Sequence, residues 1–369
     1  MPNATGPGSR DRFDHLWRAA ARILSMVLAC LGLVALPSAP AIAATTFTCS
    51  AAFYQVTATN GGTFQKYDVA TNSFSRVGTG AVASINAIGY NTADNYIYGL
   101  SGSTLYRIDA TGAFTSLGAT SGAAPGTSGG DFYQGQLLTA PSSTNAWTSI
   151  NVTTRVSTSY ALTSHAIGQA ASATWGAFDL TVIGNTAYGL NNSTLYVVDL
   201  VNKYVAGRTV SGPTTGNYGA AYSDAEGDLF FYNNTDNKVF EITAAEVTKA
   251  TGSATTPTAV LVGGSASTPA LTAPNDGASC SQAASPYAPT AVTGSASSIT
   301  QHTASLAGTV NPNNSAVSAI SFCYGTASDL SGCTSTTATP SSLASSGSVS
   351  SVSVSLASLT FGTVYYYRV

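Results

Sequence analysis

In the stretch Thr104-Leu-Tyr-Arg-Ile-Asp109 the side chains alternate, Leu105 and Arg107 toward one face and Tyr106 and Ile108 toward the other, which is the period of a β-strand. Both faces are largely apolar or aromatic, as expected of a strand packed on two sides. The pattern returns at Thr63-Phe-Gln-Lys-Tyr-Asp68, Ala146-Trp-Thr-Ser-Ile-Asn151, Thr194-Leu-Tyr-Val-Val-Asp199 and Lys238-Val-Phe-Glu-Ile-Thr243. The last residues of successive copies lie 41, 42, 48 and 44 residues apart. A period of that size built from short strands predicts a five-bladed β-propeller, with one blade of four antiparallel strands for each copy.

Within a repeat the same order of elements recurs: a small polar segment, an aromatic strand, the phrase itself and a short outer strand. In the second copy these are Ser84 to Tyr90, Tyr96 to Leu100, Thr104 to Asp109 and Phe114 to Gly118. Asp94-Asn95, Gly102-Ser103, Thr111-Gly112 and Gly184-Asn185 supply residue types that accept tight hairpin turns. The Asp that ends three copies (Asp68, Asp109, Asp199) is placed to accept backbone N–H groups of the turn that follows. Helix signals are nearly absent, and Ala244 to Thr248 predicts a single turn. The first copy lacks its polar segment, and Asn275-Asp-Gly-Ala-Ser-Cys280 at the far end supplies a candidate. The ring would then close by mixing both ends of the repeat region, which removes exposed strand edges.

Residues 1–44 read as an export leader. Arg10, Arg12, Arg18 and Arg22 precede an apolar run from Ile23 to Leu36, and Ala41-Ile-Ala43 offers a small-residue cleavage site. No later stretch is long and apolar enough to span a bilayer as a helix. The leader contains four of the 13 basic and two of the 16 acidic side chains, so the mature chain carries net charge −5, which argues against nucleic acid as a partner. Charged residues are only 8% of the chain, and Ser, Thr, Gly, Ala and Asn stand where Lys and Glu usually would, the composition of a secreted all-β protein. Cys30 leaves with the leader. The remaining four cysteines allow three pairings, and position selects Cys49 with Cys280, which bracket the repeats, and Cys323 with Cys333, ten residues apart.

A spacer over residues 281–288 leads to a second module, residues 289–369. Thr303 to Val310, Ala319 to Tyr324 and Val352 to Leu356 are alternating strands separated by Asn/Pro- and Ser/Gly-rich turns. The ending, Leu359-Thr-Phe-Gly-Thr-Val-Tyr-Tyr-Tyr-Arg-Val369, resembles the corner and following strand of fibronectin type III modules, with Tyr365 at the corner tyrosine position. Phe361 stands where Pro is usual, the early strand has no Trp, and the chain stops before a last strand, so a truncated, incomplete immunoglobulin/fibronectin-like β-sandwich is expected. The repeat region is similar to a family of bacterial exported propeller domains of unknown function. The matching residues are Ile85-Asn-Ala-Ile-Gly-Tyr90, Tyr96-Ile-Tyr98, Gly130-Asp-Phe132 and Asn275 to Cys280. That resemblance implies an extracellular or surface-sorted protein and brings no catalytic residues.

Gly126-Thr-Ser-Gly-Gly130 matches the nucleophile pattern G-x-S-x-G, but that motif works on a strand-to-helix turn, and here a strand follows. His165 and His302 have no second ligand at metal spacing. Asp224-Ala-Glu-Gly-Asp228 imitates the start of a calcium loop, yet Thr235 occupies the position of the bidentate Glu, so a solvated hairpin is expected. One constellation remains. Asn86, Asp131, Asp179, Asn217 and Asp276 stand near the start of the innermost strand of each blade, where they would ring the central channel. They would hydrate the channel and cap neighbouring backbone, or hold a cation, with calcium the candidate, or a sugar hydroxyl. Trp147 and Trp175 are expected as blade core rather than as sugar-stacking platforms. The sequence therefore predicts a secreted or cell-surface, non-catalytic binding or structural protein with a glycan or an extracellular protein as partner. The rival is a lectin or carbohydrate-active enzyme using the channel, which needs two carboxylates about 5–9 Å apart beside an open groove.

Overall fold

A computed structural model describes residues 44–57, 61–69, 71–264, 275–313, 316–344 and 349–369. The expected leader falls outside the described residues except for Ala44. The fold is all-β, with one described helix, Ala244–Gly252. No described helix is long and apolar enough to cross a membrane.

Five sheets, each built on four antiparallel strands, occupy residues 53–279, and short outer strands Ser121–Gly122, Thr163–Ser164 and Ala171–Ser172 extend the third and fourth of them. The first joins Asn275–Ser279, Phe53–Thr57, Thr63–Asp68 and Ser73–Ala81 in that order. The second runs through Ile85–Asn91, Tyr96–Ser101, Thr104–Ile108 and Phe114–Ala119. The third uses Gly129–Tyr133, Gln136–Ala140, Ala146–Ile150 and Val156–Ala161, and the fourth Thr181–Ile183, Thr186–Asn191, Thr194–Asp199 and Tyr204–Thr209. The fifth consists of Tyr218–Ser223, Leu229–Asn233, Lys238–Ile242 and Val260–Gly264. Every recurring phrase is thus the third strand of its sheet. Apolar residues on both its faces are buried because each sheet packs on two neighbours: Phe64, Leu105, Trp147 and Leu195 on one face and Tyr67, Ile108, Ile150 and Val198 on the other are all buried.

The first sheet draws its strands from both ends of this region, as expected: Asp276 pairs with Val56 and Ser279 with Phe53. Cys49 and Cys280 form a disulfide beside that pairing, with Cα atoms 5.4 Å apart, and Cys323 pairs with Cys333. The innermost strands contact one another in the cyclic order first, second, third, fourth, fifth, first. They approach very closely. A Cβ on Gly129 would lie 2.6 Å from Asp179 Cα, and one on Gly89 2.8 Å from Asp131 Cα, so only glycine fits. The turn carboxylates behave as expected: Asp109 Oδ1 accepts from Thr111 N at 2.9 Å and Ala113 N at 3.1 Å, and Asp199 Oδ1 from Val201 N at 2.9 Å and Asn202 N at 3.0 Å.

Two features differ from expectation. The single helical turn is a nine-residue helix, because Asp228 Oδ1 accepts Ala244 N at 2.6 Å and so satisfies a helix N-terminus that Thr243 leaves without a side-chain cap. Residues 281–288 are also not a free spacer. Ala225 N donates to Ala283 O at 2.8 Å, and Tyr287, at 0% exposure, packs in a cluster with Phe53, Tyr67, Tyr222, Phe230 and Tyr232.

Beyond it lie two three-stranded sheets, one ordered Thr290–Thr293, Ala304–Asn311, Ser350–Leu356 and the other Thr334–Thr337, Ser321–Gly325, Tyr366–Arg368. Leu306, Phe322, Val352 and Leu356 form the core between them. The Tyr365 hydroxyl accepts Thr360 N at 3.1 Å, the local bond that a tyrosine at a strand corner makes.

Candidate functional site

The sequence places five polar residues on the innermost strands, and register decides where each goes. Phe64 pairs with Val56 and Val56 with Asp276; Leu105 pairs with Leu100 and Leu100 with Asn86. Asp276 and Asn86 therefore stand at one level of their sheets. In the fifth sheet the same level falls on Ala220, which pairs with Tyr232, itself opposite Val239. Asn217 lies three residues before Ala220, outside the strand Tyr218–Ser223, and is therefore out of line. Asn217 is exposed, and its backbone bridges Asn191 and accepts Asn234 N at 2.9 Å. Asn86 is buried and its Nδ2 donates to Thr127 O at 3.0 Å. The five residues do not form one ring.

Asp131, Asp179 and Asp276 do converge. Asp179 is 1% exposed and Asp276 0%, and their side chains face each other, with Asp179 Oδ2 accepting the N–H of Gly277, the residue next to Asp276. Each carboxyl receives backbone N–H groups from a neighbouring sheet. Asp131 Oδ2 accepts Val182 N at 2.7 Å; Asp179 Oδ2 accepts Ala221 N at 2.7 Å and Gly277 N at 2.9 Å; Asp276 Oδ2 accepts Ile88 N. Residues without any signal in the sequence complete the set. Ser223 N donates to Ser279 Oγ at 3.0 Å, and Thr181 and Ser223 hydroxyls meet at 2.9 Å. Together with Asn86 to Thr127, a side-chain hydrogen bond spans every junction of the cyclic order.

Burial disfavours the charged form of these acids. It pushes the half-buried Asp131 up to about 7, against which the Phe132 and Val182 N–H groups act only in part. Burial likewise raises Asp179, and it raises Asp276 well above the ordinary carboxylate range with the Asp179 charge adding to it. The described ion pairs are Lys238–Asp236 and Lys249–Glu246, neither of them at the axis.

Among the described residues no group of three His, Cys, Asp or Glu side chains is placed to hold a metal ion. Apart from Asp276 Oδ1, the oxygens of the three axial carboxyls accept N–H donors. Asp224 Oδ1 accepts Glu226 N at 3.1 Å and Asp228 N at 2.9 Å, so Asp224 to Asp228 is a hydrogen-bonded turn. Trp147 and Trp175 are buried against each other, ring centroids 4.8 Å apart. Gly126 to Gly130 runs directly into the strand Gly129–Tyr133, without the helix that a nucleophile elbow needs.

A family model described as a repeat of unknown function, DUF6923, matches residues 45–282. No curated protein matches the chain. Solved structures similar to it include the virginiamycin B lyase of Staphylococcus aureus crystallised with quinupristin, at 15% identity, 51% of this chain, 66% of that chain and a TM-score of 0.30. The glutaminyl cyclase of Myxococcus xanthus matches at 11% identity, covering 52% of this chain and 84% of that one, with a TM-score of 0.38. A protein of unknown function from Bacteroides caccae matches at 10% identity, covering 62% and 99%, with a TM-score of 0.39. The chain thus spans 66% of the lyase's length, and likenesses this slight transfer no activity.

Proposed function

The chain belongs to the DUF6923 family of repeats of unknown function, and on that premise we propose that it is an exported, non-catalytic binding or structural protein. In this reading the five sheets are the blades of a β-propeller closed by its two terminal strands. The two three-stranded sheets after it are a fibronectin type III-like module. The observation that carries the reading is the use of the axial acids: the carboxyls that glycoside chemistry would need accept backbone N–H groups from neighbouring sheets. A general acid must meet substrate, and Asp179 and Asp276 are enclosed. Two disulfides in a chain of this size support an oxidising, extracellular setting.

The test is a binding screen of residues 45–369 against immobilised glycans and extracellular-matrix proteins, run beside a glycoside-hydrolysis panel. Saturable binding that survives Asp179→Asn is expected. Turnover of any glycoside that Asp179→Asn abolishes without unfolding the protein would overturn the proposal in favour of an enzyme.

A further inference from the structure

The strand Asn275–Ser279 stands apart from the other innermost strands, because it reaches the first sheet from the far end of the repeat region and no hairpin ties it to Phe53–Thr57. Its ends are tied to the fifth sheet by the Ser279 hydroxyl on Ser223 and the Asn275 amide on Asn234, and its middle is attached through two carboxyls. Gly277 N donates to Asp179 Oδ2 at 2.9 Å, and Asp276 Oδ2 accepts Ile88 N. Asp276 Oδ1 is buried and accepts no N–H or O–H donor, although the Asp179 carboxyl lies in contact with the same side chain. Two carboxylates in contact, both enclosed, repel and strand that oxygen; one proton between them removes both problems.

We propose that Asp179 and Asp276 share a proton, that this proton clasps the closing strand to the ring, and that the adjoining Cys49–Cys280 disulfide keeps the strand seated when the proton leaves. The seam is then held twice, once by a bond sensitive to pH and once by a bond sensitive to reductant.

Of the other groups facing the pair, the charged one acts in the same direction and the backbone N–H groups oppose it. Asp131, on Gly129–Tyr133, adds negative charge, and the Tyr222 phenol, on Tyr218–Ser223, is itself raised by burial and by the Asp179 charge. From the second sheet comes the Ile88 N–H, and from the fourth the Leu180 N–H, 2.6 Å from Asp179 Oδ1; both stay constant with pH. Because the pair holds its one shared proton in the folded seam and gives it up when the strand opens, the folded seam binds one proton more than the open one, so closure is favoured in acid and weakens as pH rises. A disulfide on Cys280, the residue after the strand, confines the open strand near its partner and lowers the entropy gained on opening.

Hydrogen exchange, corrected for the pH dependence of intrinsic rates, measures the seam through peptides covering 275–279 and 85–91. In the Cys49→Ala/Cys280→Ala protein, protection there should fall about tenfold per pH unit from pH 5 to 7, the slope of one proton. The disulfide-bonded protein should keep its protection over the same range. Adding Asp276→Asn to the disulfide-free protein should flatten the slope, since the Asn amide donates permanently to Asp179. A disulfide-free protein with pH-independent protection, or unfolded at pH 5 as at pH 7, would overturn the proposal. So would a slope that Asp276→Asn leaves unchanged.

Discussion

Removing Tyr287 tests where the repeat region ends as a folding unit. Its ring is fully buried, 5.7 Å from Phe230 and 6.1 Å from Phe53 between centroids, and its hydroxyl lies over Gly263, where a Cβ would come within 2.3 Å of it. Truncating a buried aromatic to alanine costs roughly 3–5 kcal/mol, because transfer and cavity terms add. For a domain of this size each kcal/mol moves the melting temperature by about 2–4 °C. Tyr287→Ala should therefore lower the melting temperature by about 6–20 °C, while Tyr287→Phe, which keeps the ring, should cost less than about 1 kcal/mol. Residues 45–280 alone should melt as low as the alanine variant, and residues 45–288 close to the full 45–369. Differential scanning calorimetry on the three fragments decides it. If residues 45–280 melt with the longest fragment, the packing around Tyr287 contributes nothing and the argument is wrong.

Three further outcomes follow from the axis and its surroundings. Asp131 carries a folded pKa raised to about 7, so its contribution is fully present below the ordinary carboxylate pKa and is lost as pH rises toward 7; Asp131→Asn should remove that share of the pH dependence in thermal melts between pH 5 and 8. Gly129→Ala, with its Cβ 2.6 Å from Asp179 Cα, should prevent soluble folding, whereas Gly135→Ala, with open space but φ of +75°, should cost only about 1 kcal/mol in denaturant titrations. Removing the Cys49–Cys280 bridge, 231 residues apart, should cost about 5 kcal/mol in the same titrations, against about 3 for Cys323–Cys333, ten apart.

What the sequence made legible was whatever depends on alternation. The third strand of every sheet could be read from its phrase, because burial on both faces forces apolar residues at successive positions, and the Asx-type turns could be read because Asp68, Asp109 and Asp199 act on residues two to four ahead. The innermost strands resisted, because a bulge leaves no mark on composition. Ala87 adopts a φ of +49° where register shifts between Asn86 and Gly89, and a second shift lies between Tyr218 and Ala220, so the level falls on Ala220 and not on Asn217, three residues before it. Tyr287 was missed for another reason: one aromatic in a Ser-, Ala- and Pro-rich stretch carries no period, and the family match itself stops at residue 282, short of it.

Why acids should stand at the centre of a chain with so few charges follows from the sheet edges. An innermost strand pairs with its own sheet on one side only, so its other side presents N–H groups that must find acceptors or remain exposed to water. Where strands converge as closely as Gly129 and Asp179, an intervening water has no space, and the acceptor must be short and belong to the neighbouring strand. Aspartate offers two oxygens on a short stem, and Asp179 serves three N–H groups with them, from Leu180, Ala221 and Gly277. Asparagine in its place has one acceptor oxygen, and its amide would face Ala221 N–H or Leu180 N–H as donor against donor. Asp179→Asn should therefore destabilise, whereas Asp276→Asn, where one oxygen accepts Ile88 N and the other only needs a proton to give to Asp179, should be neutral or stabilising at pH 8. The two substitutions, chemically identical and one hydrogen bond apart, should move the melting temperature in opposite directions, and equal losses from both would mean that the axial carboxyls share charge but no proton.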